Sequence, residues 1–300
     1  MLGKLLGKGS DGEVYEMEGD LCVKYVQPKV CGIENFLECY IMLYTDHPNI
    51  VKAEDIEVTK YDLVKIVQKR AVSNLCKRTK NKRKIFKQIV EAVNFLSKHN
   101  IIHGDIKPSN ILIYEDETVK LNDLSLCRFV ESKSKKQLYT FHYRAREVDS
   151  GNISLKADVY ALGCTLYEIY FNEPYHDKRF PTRLHVEKQP TFSSKVFLDL
   201  IYNMTNEDVE KRYNISQVCN HKYFAKEVFT KYNQITFENY ERLGLIAREL
   251  DLSNTFVYKC MNEKTELCVD YKDVDMYISQ YLNFRIFDYI FKNENLNNCI

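Results

Sequence analysis

The sequence predicts an α+β fold class: a small β-rich region with one helix over residues 1 to about 70, then a larger, mainly helical region from 71 to about 226. Three observations predict it. Short alternating or apolar runs ("EVYEM", "LCVKYV", "YDLVKIV") crowd the first seventy positions and read as strands. "RKIFKQIVEAVNFLSKH" carries Ile85, Ile89, Val93 and Leu96 at helical spacing, which gives one apolar face. "ADVYALGCTLYEIYF" is apolar on nearly every side, the pattern of a helix buried in the middle of a domain.

Composition bounds the function. In a chain of 300 residues, 45% hydrophobic content suffices for a sizeable core. Lys and Arg total 43 against 42 Asp and Glu, a net charge of +1, so no overall field draws the protein to nucleic acid or to a membrane surface. The ten cysteines form no Cys-x-x-Cys pair, and reduced thiols in a cytosolic or nuclear compartment are the expectation. "MLGKLLGKGS" is too short in apolar length for a signal peptide, Leu2 stands where myristoylation needs glycine, and no apolar run approaches a membrane span.

Taken in order, the first element is "GKGSDGEV", with Gly7, Lys8, Gly9, Gly12 and Val14 in a G-x-G-x-x-G-x-V pattern. In a dinucleotide fold a helix follows such glycines. Here the alternating "EVYEM" follows, which places them at a hairpin tip where backbone can approach phosphates without Cβ interference. Lys24 is a single charge amid the apolar "CVKYV", and an unpaired ammonium there is costly. Glu38 supplies the partner from the next element, the helix "IENFLECYIML", whose apolar positions are Ile33, Phe36, Leu37, Tyr40 and Ile41.

After the second helix comes "HGDIKPSN" at 103 to 110. Asp105 can orient a hydroxyl and accept its proton, Lys107 can offset charge on a moving phosphoryl group, and Asn110 offers an oxygen to a metal. Asp123, in "LNDLS", adds a second hard oxygen ligand of the kind magnesium prefers. Any one acidic loop residue is usually a cap or turn former. The ordered set is far harder to obtain by chance.

That set resembles a eukaryotic-type serine/threonine protein kinase over residues 1–226, opening with His103 in its catalytic loop. The resemblance implies a two-lobed fold with a small antiparallel β-rich lobe at about 1–70 and a larger helical lobe at 71–226, followed by a helical extension at 227–300. "HPNIV" follows Glu38 at the family's interval, and "KADVYALGC" resembles the helix whose Asp158 braces the catalytic loop. The resemblance also implies that Arg212 pairs with Glu147 and that Thr140 bonds Asp105 and Lys107. ATP and Mg2+ are the implied cofactors: Gly7, Lys8, Gly9, Gly12 and Val14 cover the nucleotide, Lys24 held by Glu38 grips its phosphates, and Asn110 and Asp123 bind metal. The implied partners are a protein substrate with a Ser/Thr acceptor and an activating protein. "FHYRARE", with Arg144, further resembles the cyclin-dependent and mitogen-activated kinase group, which hints at proline after the acceptor.

Several positions depart from the family pattern. Gly104 replaces an arginine that binds a phosphorylated activation loop, so activity independent of such phosphorylation is expected, with Lys133, Lys135 and Lys136 available to hold the loop. "DLS" replaces Asp-Phe-Gly; Leu124 can fill the apolar slot, but Ser125 gives up glycine's freedom at positive φ. Arg146 in "ARE" replaces proline and restores a backbone donor. The departures keep a second reading open, a pseudokinase that binds ATP or a partner and transfers nothing. A small-molecule kinase is a third. "KRTKNKRK" at 77–84 reads either as a nuclear localisation signal or as a solvated helix start, and the tail either as a cyclin-box likeness or as a helical extension. The abundance of Lys, Asn, Ile and Tyr fits a minimal kinase of a large DNA virus or an intracellular parasite, which would act in the host cell.

Overall fold

The alternating runs of the first region pair into one antiparallel sheet. A computed structural model describes residues 3–9, 12–26, 34–58, 64–75, 81–130, 138–175 and 192–225. Five strands, β1 (Leu5–Gly9), β2 (Gly12–Glu16), β3 (Leu21–Val26), β4 (Ala53–Val58) and β5 (Val64–Lys69), lie in the order β1-β2-β3-β5-β4. The helix α1 (Glu34–Tyr44) joins β3 to β4 in sequence and packs beside β4. Its Leu37, Tyr40 and Ile41 are buried at the expected spacing. Ile33 and the Phe36 side chain lie outside the described residues.

The described residues divide into two units, the first holding those up to Thr45 together with Lys52–Arg70. Asp46–Val51 joins Ala71 and its successors in the second unit, an exception to a simple division near residue 70. The cause is a set of bonds that fasten "HPNIV" within that unit. Val51 N donates to Leu121 O at 3.0 Å and Leu121 N to Asn49 O at 2.8 Å, while Asn49 Nδ2 donates to Gln88 Oε1 and Val119 O, each at 2.8 Å.

The second unit is built on two long helices. In α2 (Lys82–Lys98), Ile85, Ile89, Val93 and Leu96 are all buried, with Phe86, Val90 and Phe95 widening the stripe. The first turn carries Lys82, Arg83 and Lys84, the wrong sign for a helix N-terminus. Local partners offset this: Lys82 Nζ donates to Tyr170 O at 2.6 Å, Arg83 lies 5.0 Å from the Tyr223 ring centre, and Lys84 pairs with Glu117 at 3.4 Å. Of the two readings of the basic run, its described part is a helix start; residues 77–80 lie outside the described residues.

Short pairings carry the loops. β6 (Ser73–Asn74), β8 (Ile111–Ile113) and β9 (Val119–Leu121) form a small sheet, and β7 (Ile101–Ile102) pairs with β10 (Arg128–Phe129). After α3 (Arg146–Asp149), the helix α4 (Leu155–Phe171) is buried from Ala157 through Tyr167 and again at Ile169. Each fully buried Leu or Ile contributes about 1.5–3 kcal/mol. Ser154 caps α4, accepting from Lys156 N at 3.3 Å. α5 (Phe192–Met204) and α6 (Ile215–Cys219) follow, the latter opened by a reciprocal Asn214–Gln217 capping box. Among the described residues no helix is long and apolar enough to cross a membrane. Lys133, Lys135, Lys136 and the 227–300 extension lie outside the described residues.

Candidate active site

In the first unit the glycine-rich run closes β1 onto β2, with Gly7 opposite Val14, Lys8 opposite Glu13 and Gly9 opposite Gly12. Gly12 has φ +150°, and a Cβ there would collide with Tyr25 O, so the position accepts glycine alone. Lys8 is exposed and its Nζ lies 2.8 Å from Glu13 Oε1. Lys24 sits on β3 between Val14 of β2 and Ile66 of β5. Its Nζ donates to Glu38 Oε1 of α1 at 2.9 Å, with side chains 15% and 8% exposed. The apolar strand leaves the ammonium little water, and the carboxylate takes water's place.

In the second unit β7 delivers the chain into the loop at His103. The Asp105 amide donates to His103 Nδ1 at 3.2 Å, which leaves the ring proton on Nε2, facing Asn122 O at 3.2 Å. Both Asp105 oxygens are held. Oδ2 accepts from Lys107 Nζ at 2.6 Å and Asn110 Nδ2 at 3.0 Å; Oδ1 accepts from Thr140 Oγ1 at 2.8 Å and Thr140 N at 3.0 Å. Lys107 Nζ also donates to Thr140 Oγ1 at 2.9 Å. Burial, the largest single influence, pushes the Asp105 carboxyl up, but Lys107 and Thr140 together outweigh it and hold it below its ordinary value.

Asn110 ends a short 3-10 turn, Pro108–Asn110, and its Nδ2 bonds both Asp105 O (2.9 Å) and Oδ2. Its amide nitrogen is thereby committed to Asp105, and the amide oxygen is the atom a metal would take. Asn122 N donates to Asn110 O at 2.8 Å, continuing the β8–β9 pairing up to the residue before Asp123. An amide oxygen and a carboxylate are the hard donors that suit Mg2+, which takes one or two protein ligands and fills its shell with phosphate and water. The residues therefore fit that ion.

Two buried ionic centres brace these loops. Asp158, inside α4, accepts from His103 N at 2.7 Å on Oδ2 and from Gly104 N at 3.1 Å on Oδ1. Burial pushes its carboxyl up, opposed by those donors. The Arg212 guanidinium, fully buried, binds Glu147 through both terminal nitrogens, Nη2 reaching Oε2 at 3.1 Å. Arg144 Nε pairs with Asp149 at 3.0 Å.

A family model for the protein kinase domain matches residues 1–224. This chain is a member of the protein kinase family. Relatives include CBL-interacting protein kinase 28 of Oryza sativa subsp. japonica, 26% identical over 76% of this chain and 59% of that protein. CBL-interacting serine/threonine-protein kinase 7 of Arabidopsis thaliana is likewise 26% identical, over 76% of this chain and 61% of its own. Calcium-dependent protein kinase 6 of Plasmodium berghei is 29% identical over 56% of this chain and 13% of its own. The chain thus spans less than two thirds of the curated relatives it matches.

Within this kinase domain the positive φ near "DLS" falls on Asp123, at +61°, and not on Ser125. Ser125 sits inside the 3-10 turn Leu124–Leu126 and its Oγ donates to Asp123 Oδ1 at 3.0 Å. The conformational demand expected at residue 125 is therefore met two residues earlier, by Asp, which tolerates the left-handed region better than most residues. Leu124 is buried.

Two features of the kinase domain are not legible from the residue pattern. Tyr139 donates its hydroxyl to Asp158 Oδ1 at 2.9 Å; a tyrosine in an apolar setting announces no particular partner. A cavity of about 210 Å³ is lined by Asn74, Leu75, Pro108, Ser109, Tyr143, Glu168 and Ile169, with Tyr143 OH donating to Glu168 Oε2 at 2.6 Å. Its walls come from separate elements, and no local motif signals their meeting.

Proposed function

We propose that this kinase domain is a serine/threonine protein kinase that transfers the γ-phosphate of ATP to protein hydroxyls. The observation that carries the reading is the Asp105 carboxylate, held at both oxygens by Lys107, Asn110 and Thr140. Asp105 orients the acceptor hydroxyl and takes its proton, while Lys107, already 2.6 Å from it, offsets charge on the transferred group. Lys24, fixed by Glu38, faces the nucleotide phosphates, with Gly7, Lys8, Gly9, Gly12 and Val14 covering them. Asn110 and Asp123 would hold Mg2+, which would supply positive charge to the phosphate oxygens.

Finer elements of the reading rest on single features. The likeness to the cyclin-dependent and mitogen-activated group rests on Arg144 and its neighbours; the relatives named above are of other kinds, and an acceptor followed by proline is its consequence. Two of those relatives are named for interacting with CBL, which supports including a regulatory protein partner. The thiol-rich composition supports a cytosolic or nuclear setting. Gly104 in place of a phosphate-binding arginine supports activity without activation-loop phosphorylation.

The test is transfer of labelled γ-phosphate from Mg-ATP to Ser/Thr peptides by the wild type and by Asp105→Asn. Loss of a positioned base costs about 10²–10⁴-fold, so near-complete loss in the variant is expected, and phosphatase treatment of the wild type should leave its rate unchanged. ATP binding without transfer by the wild type would instead move the weight to the pseudokinase reading or to an enzyme awaiting its activator.

A further inference from the structure

We propose that Tyr139 is a positioning residue of this kinase domain, whose phenol and backbone amide set the register that aligns Thr140 with Asp105. The inference rests on the catalytic reading above. It starts from an outlier: Tyr139 has φ +62°, a region that bulky L-residues rarely enter. Such a conformation persists where the surroundings over-determine it, and here they do. Tyr139 N donates to Gly104 O at 2.6 Å. The buried phenol donates to Asp158 Oδ1 at 2.9 Å, the same oxygen that accepts from Gly104 N. Gly104 and Tyr139 are therefore joined twice, once directly and once through the shared carboxylate.

The geometry at residue 104 matches. Gly104 also lies at positive φ, +80°, and a Cβ on it would come within 3.0 Å of Leu126 O and of Leu138 Cδ2. The absence of a side chain at 104 admits Leu138 and Tyr139 against the loop. One residue further along each strand of this contact, Asp105 meets Thr140, accepting from its amide and its hydroxyl. Residues 104–105 and 139–140 form one zipped pair, and the Tyr139 phenol anchors it to α4 through Asp158. Burial keeps the phenol protonated and so a donor. Loss of the hydroxyl loosens the Thr140 end of the zip, and with it the Lys107–Thr140 bond, without touching Asn110 or the nucleotide-facing groups.

The test is steady-state kinetics of the whole chain with Mg-ATP and a Ser/Thr peptide, for Tyr139→Phe, Thr140→Ala and the double variant. Tyr139→Phe keeps the ring, so folding should survive, and kcat should fall on the order of ten- to a hundredfold with ATP affinity unchanged. In the Thr140→Ala background the same change should cost almost nothing, because its effect runs through Thr140. Tyr139→Gly, which keeps the N–H and frees the backbone but lacks the phenol, should lose kcat as Phe does. Wild-type kcat in Tyr139→Phe or in Tyr139→Gly, or an equal loss with and without Thr140, would overturn the assignment. Absence of transfer by the wild type itself would instead overturn the catalytic reading on which it rests.

Discussion

Removing the Glu147 carboxylate strands a fully buried guanidinium, and the cost follows from Arg212's bonds. In Glu147→Ala, Arg212 Nε keeps Asn206 O at 2.8 Å, Nη1 keeps Lys156 O at 3.2 Å, and the cation stays 5.0 Å from the Tyr160 ring centre. Two charge-assisted bonds to the carboxylate vanish, each worth about 1.5–3 kcal/mol. Their sum agrees with the roughly 3–5 kcal/mol typical of breaking a buried pair from one side. For a domain of this size the melting temperature should drop by roughly 6–20 °C. The double variant Glu147→Leu/Arg212→Met removes both charges, orphaning only the two carbonyls, and should be far less destabilised than the sum of the singles. Urea unfolding of the wild type, Glu147→Leu, Arg212→Met and the double, followed by circular dichroism, measures the coupling. A coupling below about 0.5 kcal/mol would be ordinary additivity and would refute the claim that the pair acts as one unit.

Other expectations are narrower. Lys24→Met and Glu38→Gln should each lower kcat/KM for ATP, the former by roughly 10²–10³-fold, with peptide KM little changed; equal loss in peptide affinity would count against a phosphate-facing role. His47 is buried with Nδ1 accepting from Asn49 N at 3.0 Å. Burial, the largest influence, pushes its pKa down to about 4, with Glu91 opposing and Lys120 assisting. An unfolded histidine titrates near 6.5, so below that pH the unfolded state binds the extra proton. Stability is therefore complete above pH 6.5 and falls as pH drops toward 4, by up to about 3 kcal/mol. His47→Asn should flatten that slope in denaturation measured between pH 7 and pH 4.5; an unaltered slope would assign it to other groups.

Legibility followed the strength of local demand. A lysine in an apolar strand demands a partner, so Lys24 and Glu38 could be joined from sequence alone. The two long helices, of 17 residues each, were legible, α2 because its apolar positions repeat along one face and α4 because it is apolar on nearly every side. β1 and β4 were not singled out: among the described side chains of β4 only Ala53 and Ile56 are buried, too weak an alternation to mark a strand. The 46–51 segment joins the second unit through backbone bonds to Leu121 and through the Asn49 amide, and an asparagine in a loop carries no sign of where its bonds go. Thr140 reaches Asp105 across 35 residues, a distance bridged by family resemblance and not by any pattern in the chain.

The left-handed residues separate structural need from site geometry. Asn100 follows α2, Asn172 caps α4, Asn81 precedes α2 and Glu117 turns between β8 and β9; helix ends and tight turns account for them, and asparagine enters that region at small cost. Gly104, Asp123 and Tyr139 end no long helix and turn no hairpin. Each stands one residue from Asp105, Asn122 or Thr140: the candidate base, the residue bonded to Asn110, and the residue that holds the base. Glycine at 104 and aspartate at 123 fit their backbones with little penalty, whereas tyrosine at 139 does not. Its strain is offset by the Gly104 carbonyl and the Asp158 carboxylate, so the backbone outlier and the hydrogen bonds around Asp105 depend on each other. Relieving the strain with a flexible residue would not reproduce the site, because what the site uses is the anchor that the strained tyrosine alone supplies.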